Sequence, residues 1–379
     1  MTTKTKRPIV LTIDDDDQGD TKLKLRSSAT VIAKTPDEVT FSDLRRAHVV
    51  LVDYQIEEWK GRDNAASIAL QPRNGVALAA VLRSQVEDRT QDDRRAFAIH
   101  SAKLNDLSGG LPPPDREHAI ARTLNLEWAF PKTQSGNGPS INIQVAALAA
   151  AVRGLPKTWP DDIEKTQKLV TKLLAAPPKR AWRDRAADDV ASCHPPIQAW
   201  AATTNGMVFL RWLLHQVLPY PSFLLEERYV AARLYVTVES LRKALKSESK
   251  VRRALRPFEY TGVLSTFLGD RWWRAGIDHA LWDWTEGDPF NAESVGGVVH
   301  ARLSESLVPV NVIRPVVCVD AQSFRPTDAV VDIAQAVEIK PDDWPAYAEQ
   351  AWIAREQAND EGIAGLVVPQ DRERIEGAQ

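Results

Sequence analysis

The segment Pro8-Ile9-Val10-Leu11-Thr12-Ile13 runs directly into Asp14-Asp15-Asp16-Asp17. A short, largely apolar run bounded by charge has the length and composition of a strand buried on both faces. A second such run, Val49-Val50-Leu51-Val52, ends on Asp53. Two strands of this kind in a parallel sheet place several carboxylates at one edge. They repel one another unless a divalent cation lies among them. The N-terminal third is therefore a candidate Mg2+ site.

Further strands are predicted at Thr30–Ala33, Ala96–His100 and Glu127–Phe130. Helices are predicted between the strands at Thr40–Arg46, Gly75–Val86 and Asp115–Thr123. Alternation of this kind predicts an α/β domain with a doubly wound, parallel five-stranded sheet of the flavodoxin-like type. Asp20–Ser28 is too short and too β-compatible for a firm first helix. The loop residues Thr133–Ser140 mark a boundary, so residues 1–135 form the expected first domain and 136–160 a helical linker. Helix signals dominate 161–292 (Asp161–Leu174, Arg180–Ala191, Gly206–Val217, Leu224–Leu245 and Trp272–Trp284), which reads as a Trp-rich helical domain. Residues 293–379 read as a small α+β segment, β-like from Val295 to Val319 and helical over Trp344–Ala358.

The bulk numbers fit a globular chain: 379 residues, 44% hydrophobic, 26% charged and a net charge of −3. Nothing global favours nucleic acid. No apolar run is long enough for a membrane span, and the start does not read as a signal peptide. Two cysteines, Cys193 and Cys318, fit a reducing compartment, so a cytoplasmic location is expected. Ten of the twelve tryptophans follow Lys132. Residues of this size build cores or anchor interfaces; most are expected in the core and some at a partner surface. The cations between Arg242 and Arg256 alternate with Leu241, Leu245, Val251 and Leu255. They read as the solvated side of an amphipathic helix pair, with no helix-turn-helix recognition element.

Residue by residue, the first 135 positions resemble the receiver domain of two-component response regulators. The acid pair ending the first strand corresponds to Asp14 and Asp15, and the phosphoacceptor ending the third to Asp53. The hydroxyl ending the fourth corresponds to Ser101, in Ala98-Ile99-His100-Ser101-Ala102, and the lysine after the fifth to Lys132. The resemblance implies Mg2+ held by Asp15, Asp53 and the Gln55 carbonyl, with Asp14 holding a ligand water. It also implies Lys132 and Ser101 on the phosphoryl oxygens, and Trp128 moving with Ser101. A histidine kinase or phosphotransfer protein would supply the phosphoryl group. The output would be altered binding, to itself or to a protein partner, through the Trp-rich module. No separate enzymatic substrate is implied.

The chain departs from the family pattern in four places. The segment from Asp53 to Asn74-Gly75 is long, and Tyr54-Gln55-Ile56 stands where Met-Pro is usual. The Lys-Pro order is reversed to Pro131-Lys132, and Gly109-Gly110-Leu111-Pro112-Pro113-Pro114 is inserted. A pseudo-receiver scaffold that never takes phosphate is the alternative. A haloacid-dehalogenase-like phosphatase using Asp14 and Asp16 is the third reading. The remaining chain has no phosphate loop, no His-Glu-x-x-His and no Gly-x-Ser-x-Gly. Cys193-His194 and Asp278-His279 are adjacent in sequence and therefore diverge on a helix, so both read as structural, as does His100.

Overall fold

A computed structural model describes residues 7–15, 25, 27–56, 59, 72–89, 94–102, 104–107, 116–132, 138–177, 179–198 and 206–376. Asp16, Asp17, Gln18, most of Asp20–Ser28, the Gly109–Pro114 insertion and Trp200 lie outside them. The chain forms two compact units. The first comprises Met1–Leu173, Pro196–Pro219 and Val263–Gly269, and the second Leu174–Pro195, Tyr220–Gly262 and Asp270–Gln379.

The first unit is built on a parallel sheet of β1 (Ile9–Ile13), β2 (Thr30–Lys34), β3 (Val49–Asp53), β4 (Ala96–Ser101) and β5 (Trp128–Pro131), in the order β2-β1-β3-β4-β5. All five strands match the apolar runs in the sequence, and the order is that of flavodoxin-like sheets. Side-chain alternation divides the sheet residues. Leu11, Ile13, Val50, Val52, Phe97 and Ile99 pack with Leu44 of helix α1 (Phe41–Arg46) and Leu78, Ala79 and Val86 of α2 (Gly75–Arg89). Ala121 of α3 (Glu117–Thr123) joins the same core. Thr40 starts α1 through a capping box with Asp43.

The alternate residues Val10, Val49, Leu51, Ala96 and Ala98 are equally buried. Helix α4 (Ile141–Gly154) packs on β3 and β4 with Val145, Leu148, Ala149 and Val152 buried. The segment expected as a linker is thus a structural helix of the sheet unit, because its Ala-rich apolar face needs a surface to cover. Consequently the expected cuts at 135, 160 and 292 differ from the observed division.

The unit is completed by α5 (Ile163–Leu173) and by two returning segments. Helix α7 (Met207–Trp212), continued by a π-helical turn Leu213–Val217, packs against α3 and α4. The segment Val263–Gly269 brings Phe267 edge-to-face onto Trp128, with ring centroids 4.9 Å apart, and against Phe130 at 6.3 Å.

In the second unit α6 (Arg183–Ser192), α8 (Glu227–Arg233), α9 (Val238–Ser247), α10 (Ser249–Leu255), α11 (Arg274–Trp284) and α12 (Ala292–Arg302) accompany a small sheet. Leu224–Leu245, expected as one helix, is broken. Leu224–Leu225 pairs with Trp272–Trp273 as a short ladder, Tyr235 takes a positive φ of 54°, and Thr237 caps a new start. Two further expectations are overturned. Val295–Leu303 is mostly helical: the Asn291 side chain accepts from the N–H groups of Glu293 and Ser294, and Val295, Val299 and Leu303 recur every four residues on a buried face. The expected helix Trp344–Ala358 contains strand Ala351–Ala354. That strand pairs antiparallel with Ala336–Ile339 and parallel with Pro315–Val319, and Trp344 Nε1 donates to the Glu349 carbonyl to close the preceding turn. Trp182, Trp272 and Trp273 are core residues here, whereas Trp282 is 58% exposed.

Candidate functional site

The carboxyl edge of the parallel sheet assembles the residues singled out from sequence. The strand order reverses between β1 and β3, and such switch points leave a crevice beyond the strand ends. Asp14 and Asp15 leave β1 there and Asp53 ends β3. Carboxylate oxygens of these three residues, one from each, all lie within 4.8 Å of one another. Lys132 Nζ lies 2.7 Å from Asp53 Oδ1 and 4.0 Å from Asp14 Oδ2. The ammonium and Oδ1 meet as a pair of opposite charges.

The reversed Pro131-Lys132 pair nonetheless delivers the lysine. Ser101 pairs with Pro131 in the ladder, and the Ser101 carbonyl accepts the Lys132 N–H at 2.7 Å. That bond carries the strand register one residue past β5 and aims the side chain along the edge. Ser101 itself is buried at the end of β4. Gln55 meets the acceptor through its backbone N–H, which donates to Asp53 Oδ2 at 3.1 Å.

Asp53 is only 4% exposed. Burial pushes its carboxyl up to about 6; the Lys132 ammonium opposes this and Asp14 adds to it. The acceptor thus sits in an environment that charges it reluctantly, and a cation among the three acids would reverse the balance.

The chain returning after the long Asp53–Asn74 segment seats against the acceptor. Gly75 N–H donates to the Tyr54 carbonyl at 2.9 Å, and Asn74 Oδ1 accepts from Ala77 N–H to start α2. A Cβ on residue 75 would lie 1.9 Å from the Asp53 carbonyl oxygen. Only glycine allows this approach. Gly75→Ala is therefore expected to displace either the helix start or the acceptor backbone and to cost about 1–3 kcal/mol. Urea unfolding measures this, and an unchanged midpoint would show that the approach is slack.

Sequence reading missed a second polar centre, at the opposite end of β5. Glu127 is fully buried. Its carboxylate takes Arg83 at 2.9 Å and Arg211 at 2.8 Å, and its Oε2 accepts the Phe97 N–H. His215 Nε2 lies 3.0 Å from the Glu127 carbonyl, which can only accept, so that nitrogen carries the proton. Burial alone would raise the Glu127 carboxyl, but the two guanidinium groups and the Phe97 N–H hold it below the ordinary range. A single acid at the start of the predicted strand Glu127–Phe130 was the only available signal.

Other candidates are structural. Burial pushes the Cys193 and Cys318 thiols up to about 11, too high for a nucleophile. Asp278 is paired with Arg233 at 2.9 Å. Trp128, the aromatic expected to move, is 2% exposed beneath Phe267. No helix among the described residues is long and apolar enough to cross a membrane.

Comparison of the chain with family profiles, curated proteins and solved structures finds no match.

Proposed function

We propose that the sheet unit is an atypical receiver domain whose Asp53 accepts a phosphoryl group from a phosphohistidine of a kinase or phosphotransfer protein, and that the phosphorylated state alters protein–protein binding through the helical part of the chain. The observation that carries the reading is the convergence of Asp14, Asp15 and Asp53 at the β1/β3 switch point with Lys132 on the acceptor. Three hard oxygen donors on one edge suit Mg2+, which takes one or two carboxylates together with phosphate oxygen and water. Asp15, Asp53 and the Gln55 carbonyl would hold it, with Asp14 on a ligand water. When bound, the ion neutralises charge on the phosphoryl group.

The chain's own residues do the rest. The ionised Asp53 carboxylate attacks phosphorus; the P–N bond to the donor imidazole breaks, and the imidazole leaves with a proton. Lys132 offsets charge on the phosphoryl oxygens, and Ser101 donates to one of them. Water attack on the acyl phosphate later restores Asp53 and releases inorganic phosphate.

The test is incubation with acetyl phosphate and Mg2+ followed by intact mass. One added phosphoryl group, absent in Asp53→Asn, is expected. If no donor gives an adduct on a folded chain, the pseudo-receiver scaffold takes its place. The burial of Ser101 and the packing of Trp128 under Phe267 favour that second reading. The dehalogenase-like reading has no such support, since Asp16 lies outside the described residues and Asp15 is the acid that joins Asp14 and Asp53.

A further inference from the structure

Several arginines of the second unit are paired: Arg228 and Arg242 share Asp328, Arg233 holds Asp278 and Glu349, and Arg274 holds Asp189. A run of cations on α9 and α10 is not. Lys243, Lys246, Arg252, Arg253 and Arg256 are exposed; among the described residues none forms a salt bridge, although Lys243 lies near enough to Glu248 to act on its carboxylate. Arg252, Arg253 and Arg256 follow α10 at i, i+1 and i+4, opposite the buried Val251 and Leu255, so they share one face. Glu248, the lone acid between Arg242 and Arg256, is taken by the Ser306 hydroxyl. A second strand of chain adds to the patch. Trp182 packs on Phe258 with ring centroids 6.2 Å apart, and Gly276 fits beneath both rings. The exposed Lys179 and Arg180 precede Trp182 by three and two residues, and Arg256 precedes Phe258 by two.

We propose that this face binds the phosphate backbone of nucleic acid. Concentrated unpaired charge of one sign, on a chain of net charge −3, is what repeated phosphates would neutralise, and guanidinium groups match phosphate oxygens in pairs. A lipid surface is the weaker fit. The exposed Trp282, Phe290 and Ile313 lie outside 179–185 and 242–258 in sequence, and the exposed Val308, whose N–H donates to Ser240 Oγ of α9, is a single small apolar group. The cations stand on the solvated side of an amphipathic helix pair, opposite Leu241, Val251 and Leu255, and the proposal adds a ligand to that face. The inference is independent of phosphorylation at Asp53.

The experiment is fluorescence anisotropy of a labelled duplex DNA titrated with the full chain. Binding is expected at about 50 mM salt and, if roughly four phosphates are neutralised, a loss of about 100-fold by about 200 mM. The triple reversal Arg252→Glu, Arg253→Glu, Arg256→Glu should abolish binding, while the three Arg→Lys changes should retain most of it. Lys243→Glu with Lys246→Glu gives an independent reading on α9 if the triple variant fails to fold. Absence of binding at low salt, binding indifferent to both reversals, or tighter association with phosphatidylserine vesicles than with DNA would each overturn the proposal.

Discussion

Replacing Glu127 by alanine is expected to destabilise the protein by about 3 kcal/mol, the lower part of the range for breaking a buried ion pair from one side. The carboxylate is fully enclosed, and its removal strands two guanidinium groups and the Phe97 N–H. Arg83 and Arg211 retain 13% and 31% side-chain exposure and can partly rehydrate, which keeps the cost from the upper end. Glu127→Gln keeps the shape and should cost less. The sign with pH follows from the depressed folded value. The contribution is present above the ordinary glutamate value of 4.5 and is lost as pH falls through the lower folded one. Urea unfolding followed by tryptophan fluorescence measures both variants. A loss under about 1 kcal/mol for the alanine would mean the network is as weak as an exposed pair.

Asp53→Asn is expected to act in the opposite direction. The folded carboxyl lies at about 6 against an ordinary 3.8, a difference worth about 3 kcal/mol at most. Because the folded state binds the proton more tightly, ionisation destabilises it. The cost is absent below about pH 4, grows between about 4 and 6, and is complete above. Near pH 7, without divalent ions, the asparagine variant should thus be more stable, by about 1–3 kcal/mol. The difference should vanish near pH 4. Mg2+ should stabilise the wild type and leave the variant nearly unmoved. A variant no more stable than the wild type, with no response to pH, would show that Lys132 already compensates the acceptor and that the cluster has no need of a cation.

The strands and the acidic edge were legible in sequence because each is local. An apolar run fixes a buried strand, and its terminal aspartate fixes a side chain at the edge. Lys132 was legible as a residue type but not in register, since the Pro131-Lys132 order is resolved only by its bond to the Ser101 carbonyl. The Glu127 network was invisible because its partners Arg83 and Arg211 stand 44 and 84 residues away. Val295–Leu303 misled for a different reason: valine and glycine disfavour helix locally, and the buried Val295, Val299 and Leu303 override that preference. Helix α4 looked like a connector because alanine carries no sign of which surface it will cover.

Phe267 closes over Trp128 and Phe130, although it is encoded long after β5. A ribosome therefore releases the whole sheet before it has made the residue that shields its last strand. Until Gly269 has been synthesised, the Trp128 and Phe130 rings lack this cover on a nascent chain. Contacts of such sequence separation form late and slowly, and exposed apolar surface in the interval invites aggregation or chaperone capture. The sheet unit is thus completed by the far side of its own chain and cannot mature from its N-terminus alone.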